Sequence, residues 1–323
     1  MRDRLRDRLE ITPRRYAQVA LVALIALALI VLTGAAVRLT DSGLGCPNWP
    51  KCYGQPLPPL ESHALIEFGN RVLTGFVGIA VIAASALAFY RRPYRQHLAL
   101  FGALLPLGVI AQAILGALVV EYHLAPGLVM LHFILSMMLL DAAFALAWCS
   151  RYEPWERRRS ADRLGVWAVR GLLPLGQLTI AAGTVATASG PHAGAHAGQI
   201  VHRFRFEGAK TLEWVVQRHA AIAAVFGLAA VAVWFLLRRE GGERRALRPL
   251  SVVIGLLGLQ GVVGGVQWYL KLPTELVWVH VSLATFTWLA MLWTVASAGR
   301  LEPREARATS AGEPAAGQLS VPT

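Results

Sequence analysis

A chain of 323 residues that is 55% hydrophobic and 15% charged, with a mean hydropathy of +0.50, reads as a polytopic membrane protein and not as a soluble domain. Its formal net charge of +12 does not make it a nucleic-acid binder, because most of the arginines cluster in short segments flanking apolar runs. Membrane lipid is the expected surrounding.

The chain opens on a basic segment, 1–15 ("MRDRLRDRLEITPRR"), followed by the first apolar run, 16–37. That run is long and continuous with a strong basic flank, so no cleavable signal peptide is expected. A loop over 38–65 carries Cys46 and Cys52 in "CPNWPKC", where five intervening residues with two prolines suit a closed disulfide loop. A second run, 66–90, starts in "LIEFGNRVLTG" and ends at the basic "RRPYR". Runs at 98–120 and 127–149 follow, the latter ending on Cys149, read as a small buried hydrophobe. After the basic linker 150–165 come runs at 166–188, 213–237, 249–270 and 275–298. The tail, 299–323, is polar and low in hydrophobic residues and reads as disordered. Each of the eight runs matches the ~20 residues that cross a hydrocarbon core about 30 Å thick. Arginine clusters fall at the N-terminus, after the second, fourth and sixth runs, and in the tail. The positive-inside rule therefore places both termini in the cytoplasm and the cysteine loop outside, where disulfides persist.

The sequence repeats itself. "LVMLH" (Leu128 to His132) recurs as "LVWVH" (Leu276 to His280), and Gln112 and Gly116 recur as Gln260 and Gly264, all 148 residues on. "TGAAVRLTDSG" at the end of the first run echoes "AGTVATASG" at the end of the fifth. The expected fold is therefore all-α: eight transmembrane helices in two tandem four-helix bundles, 16–149 and 166–298, related by a pseudo-two-fold axis along the membrane normal.

All even-numbered spans start on the outer side, and each carries polar residues in its first turns. The second has Glu67, Asn70 and Arg71; the fourth His132; the sixth Gln217, Arg218 and His219; the eighth His280. At 1.5 Å rise per residue these form one layer just below the outer interface. Ionisable groups in membrane helices cost ~2.5–3.5 kcal/mol each on insertion scales and are functional candidates. Imidazoles on facing helices are a common way to hold heme iron, so His219 and His280 read as an axial pair. Arg71 and Arg218 are placed to meet heme propionates. The other half offers His132 but Asn70 at the place of His219, and a carboxamide is a poor iron ligand. Glu67 lies one turn before Asn70; its plainer role is an i, i+4 ion pair with Arg71. His63 lies too far along the helix to replace Asn70, and His123, His192, His196 and His202 read as interfacial or loop residues. Asp141, deep in the fourth span, has no assigned role.

At these residues the chain resembles the heme A synthase family. "RLTDSGLGCPNWPKCYG" is similar to the family's first outer loop with its cysteine pair, "EFGNR" to its Glu-x-x-His-Arg signature, and "GTVATASGPHAG" to the end of its fifth helix. "LVMLH", "VQRHA" and "LVWVH" match its histidines. The resemblance runs over about 16–298 and departs at Asn70, where the family pattern has histidine. It implies an oxidoreductase that converts the C8 methyl of heme O to the formyl group of heme A by successive hydroxylations, for cytochrome oxidase biogenesis. By position, His219 and His280 would ligate a heme b cofactor, His132 the substrate heme, and Glu67 would be catalytic. The Cys46–Cys52 pair is then either a stiffening disulfide or a redox or heme-transfer element. The enzyme that supplies heme O and a second copy of this chain are candidate partners; the electron acceptor is not indicated. The rival reading is a b-type cytochrome that only passes electrons, which calls for two bis-histidine sites. A transporter fits less well because the polar layer is not at the midplane, and a prenyltransferase would need diphosphate-binding acidic clusters.

Overall fold

A computed structural model describes residues 10–154, 157–158, 160–196, 198–240 and 244–301. Eight helices make up the fold: α1 (Pro13–Leu39), α2 (Ser62–Tyr90), α3 (Gln96–Glu121), α4 (Pro126–Arg151), α5 (Arg163–Ser189), α6 (Thr211–Glu240), α7 (Arg244–Tyr269) and α8 (Thr274–Ser297). All eight are long and apolar enough to cross a membrane, and the chain is a multi-pass membrane protein. The fold is all-α; the sole ladder among the described residues is a two-residue antiparallel pair, β1 (Arg157–Arg158) with β2 (Arg300–Leu301). Most of the basic N-terminal segment and of the tail lies outside the described residues.

The eight apolar runs fall within these helices to one residue. The helices extend past them, and at two of their starts a polar side chain caps the first turn. Thr12 accepts from Arg15 N at 3.4 Å with Pro13 opening α1, and Asp162 Oδ1 accepts from Gly165 N at 2.7 Å to start α5. Not every flanking arginine is a free topology signal. Arg91 is fully buried and pairs with Glu153, which Arg95 also approaches at 3.6 Å.

The internal repeat extends into backbone detail. His123 and Leu124, which end the α3–α4 turn, have φ of 48° and 58°; Lys271 and Leu272, 148 residues on, have φ of 64° and 63°. Leu124 N bonds Val119 O at 2.8 Å and Leu272 N bonds Gln267 O at 2.6 Å. Two consecutive left-handed residues without glycine are costly, so their recurrence at one register fits a tandem duplication. Gln112 Nε2 donates to His132 O at 3.0 Å, and Gln260 Nε2 to His280 O at 3.2 Å, so one staple joins each of the two hairpins.

The packed core sits toward the end that carries the termini. Tyr16, Ala20, Ala23 and Leu27 of α1 face Val77, Val81, Ala84 and Ala88 of α2, and Leu98 and Leu105 of α3 complete that side. Small residues there let helices approach closely, as membrane bundles require. Toward the other end the histidine-bearing turns are only half-buried. The halves join through α1 against α8 and α4 against α5 and α8. Trp278 Nε1 donates to Leu32 O at 3.0 Å, and Trp288 Nε1 to Asp141 Oδ1 at 2.6 Å, which gives Asp141 its partner.

Candidate functional site

The register of the helices sets the layer. Asn70 and His219 are each the ninth residue of their helices, α2 and α6; His132 and His280 are each the seventh of α4 and α8. Equal distance from the helix start matches Asn70 with His219, and His132 with His280.

Each imidazole rests on a glycine of a neighbouring helix. A Cβ built on Gly183 would lie 3.1 Å from His219 Cε1, one on Gly264 3.3 Å from His280 Cε1, and one on Gly116 3.6 Å from His132 Cε1. Glycine makes room for a ring edge at Gly183 and Gly264, while at Gly116 the contact is an ordinary one. The rings of His219 and His280 face each other with centroids 6.3 Å apart and planes inclined at 76°. The Nδ1 atoms of His132 and His280 and the Oε1 atoms of Gln112 and Gln260 are buried without a hydrogen-bond partner. A buried polar atom left so costs ~1–3 kcal/mol and calls for an explanation.

The fourth seat differs. Thr33 Oγ1 donates to Asn70 Oδ1 at 2.8 Å, so the amide is drawn to α1. A Cβ on Gly34, the counterpart of Gly183, would meet nothing within 4 Å.

Glu67 is 6% exposed, yet it is fully engaged. Its Oε2 accepts from Cys46 N at 2.7 Å and its Oε1 pairs with Arg71 Nη2 at 2.5 Å. Arg71 also donates to the carbonyls of Cys46 at 3.1 Å, Asn48 at 2.9 Å and Lys51 at 3.2 Å. The i, i+4 ion pair is therefore formed, and together the two side chains clasp the loop that holds the Cys46–Cys52 disulfide. The disulfide packs on Ala64 and Phe68. Gly45 permits the approach, since a Cβ there would lie 2.8 Å from Ala64 N.

Other histidines cluster at the seam between the halves. His63 stacks on His196 at 5.2 Å and meets Ser42 Oγ through Nδ1 at 3.0 Å; His192 Nε2 meets Leu272 O at 2.7 Å. Arg218 is exposed, lying 3.4 Å over the Trp214 ring. Sequence reasoning passed over two arginines. Arg38 donates to Thr187 O at 3.3 Å and to His192 O, while Arg203 donates to Gly190 O at 2.8 Å and to Thr187 O. Neither forms an ion pair among the described residues, and burial lowers the Arg203 pKa from its usual value. The signal was present in "AVRLT" at the end of the first span, an arginine within an otherwise apolar turn.

The described residues place two imidazoles together in one half, and an imidazole and an amide at the matching helix positions of the other. Comparison with known proteins identifies the family. A family model described as cytochrome oxidase assembly protein (COX15-CtaA) matches residues 17–202. A heme A synthase of Lysinibacillus sphaericus is 35% identical over 130 residues, 40% of this chain and 42% of that protein. A heme A synthase of Geobacillus kaustophilus is 40% identical over 93 residues, 28% of this chain and 29% of that one. A protoheme IX farnesyltransferase of Thermus thermophilus is 29% identical over 284 residues, 84% of this chain and 46% of that protein. The matches span less than half the length of each of these relatives.

Proposed function

Because the chain belongs to the COX15-CtaA family of cytochrome oxidase assembly proteins, we propose that it is a heme A synthase, oxidising the C8 methyl of heme O to a formyl group. The observation that carries this reading is the pair of glycine-backed imidazoles 6.3 Å apart in one half, with a related seat in the other. That separation leaves room for one metal–nitrogen bond of about 2 Å on each side, so His219 and His280 would hold a heme b. When bound, the heme supplies one-electron redox chemistry.

The chain's own residues do the rest. Gln260 and Gly264 fix His280, and Gly183 backs His219. In the other half Gln112 and Gly116 fix His132 as the ligand to substrate heme O. Glu67, low in the clasp beneath the disulfide loop, holds a carboxylate close to that seat and is the catalytic acid–base candidate. The clasp favours a structural disulfide, since Arg71 is committed to loop carbonyls and not to propionates. Half-buried Arg38 and Arg203 at the seam supply cationic charge, which suits propionates better than exposed Arg218 does.

Both termini are assigned to the cytoplasm and the disulfide loop to the outside, from the arginine pattern. The two halves, 16–149 and 166–298, serve as substrate and cofactor units. The farnesyltransferase relative extends well beyond the region it shares with this chain. That length is what a heme O supplier working beside such a module would show, and supports heme O synthase as a partner. A pure b-type cytochrome is disfavoured by the amide at position 70.

Expressed in a host that makes heme O but no heme A, the chain yields heme A in extracted membranes; hemes B and O alone, with folded protein present, would contradict the proposal. At the cofactor seat, Gly183→Ala presses on the His219 ring and lowers heme b retained through purification several-fold, whereas Gly34→Ala does not. Equal retention by both variants would show that the glycine does not shape the seat.

A further inference from the structure

The halves differ at one seat, and they differ there in a pair of residues. In α5, Ala182 precedes the glycine against which His219 rests; in α1, Thr33 precedes Gly34, and Asn70 stands where His219 would. A hydroxyl and an amide have together replaced a methyl and an imidazole. The Thr33 hydroxyl donates to Asn70 Oδ1 at 2.8 Å. With its oxygen so occupied, the amide directs its NH2, a group with two donors and no acceptor, away from that hydroxyl. Nothing stands within 4 Å of a Cβ on Gly34, so the space that the His219 ring edge fills in one half is open in the other.

We propose that Thr33, Gly34 and Asn70 form a binding site for a water-sized or diatomic ligand of the N-terminal porphyrin, at the coordination position that His219 fills in the other half. Asn70 is its hydrogen-bond donor and Thr33 the residue that orients that donor. The inference rests on the reading that His132 seats a porphyrin.

The test uses full-length protein purified from a host supplying heme O, with porphyrins counted by extraction, then reduced and exposed to carbon monoxide. One of two porphyrins binds carbon monoxide and the other does not. Asn70→His keeps both porphyrins and abolishes the response. Asn70→Ala keeps the response but raises the C–O stretching frequency, because the donor is gone; Thr33→Val shifts the same band. Should Asn70→His not fold, free imidazole added to the unaltered protein competes with carbon monoxide and gives a second low-spin spectrum. Two porphyrins that both ignore carbon monoxide, or an unchanged C–O stretch in Asn70→Ala, overturn this inference and leave the function standing. A protein that takes up only one porphyrin overturns the two-seat reading beneath it.

Discussion

Replacing His280 with alanine removes the low-spin heme spectrum from the purified protein. His280 and His219 form an imidazole pair with ring centroids 6.3 Å apart on neighbouring spans, and His280 is held from behind by the Gln260 staple and by Gly264. Loss of one of the two imidazoles that would hold the heme would remove the ligand field behind the low-spin spectrum, or the heme itself. His219→Ala has the same effect, and the double variant adds little, because the two act as one site. His132→Ala, in the other half, leaves that spectrum in place. A His280→Ala protein with an intact low-spin signal contradicts the ligand assignment. Gln260→Leu is the milder companion: the ring stays but its backbone loses an anchor, and heme b is retained less well. Loss of a residue that holds a metal ligand in place typically costs ~10–100-fold in metal affinity.

Replacing Glu67 with glutamine lowers formyl production by ~10²–10⁴-fold, the usual range for a general acid–base group, while heme b remains bound. Glutamine keeps an oxygen for Cys46 N but removes the charge that meets Arg71. The clasp supplies the control. Arg71→Ala breaks the same ion pair and frees the loop carbonyls, so a purely structural Glu67 predicts equal loss in both variants, together with a disulfide that becomes labile to mild reductant. The catalytic assignment predicts a clear separation: Glu67→Gln inactive with its disulfide intact, Arg71→Ala weakened but active. Equal activities would reduce Glu67 to a fastener.

The contrast between those two residues shows what a sequence can reveal. The eight spans were legible because lipid demands unbroken apolar runs with internally satisfied backbones, and little else produces them. The duplication was legible in "LVMLH" and "LVWVH", and it holds down to the paired left-handed residues His123–Leu124 and Lys271–Leu272. The matching of Asn70 with His219 and of His132 with His280 in helix position was legible too, because helical rise converts residue number directly into distance along a helix.

Contacts with loop and seam backbone were not legible. Arg71 reaches four loop carbonyls, and Arg38 reaches the carbonyl of Thr187 in α5. A carbonyl acceptor is present at every residue, so no residue type in the sequence marks which one will be used. Arg218 misled for the opposite reason: it sits beside His219 in sequence, but on a helix the next residue points about 100° away. It lies over Trp214 at the surface instead. Asn70 read as a mere loss of a ligand, until Thr33 showed that the amide is held in a definite orientation.

The most direct measurement is the porphyrin content of the purified chain from a host rich in heme O, by extraction and mass quantification per polypeptide. Two are expected, one of them heme b in a low-spin state that depends on His280, the other heme O or its oxidised product in a seat that depends on His132. A single porphyrin whose binding survives loss of His132, or a colourless protein, would contradict the account.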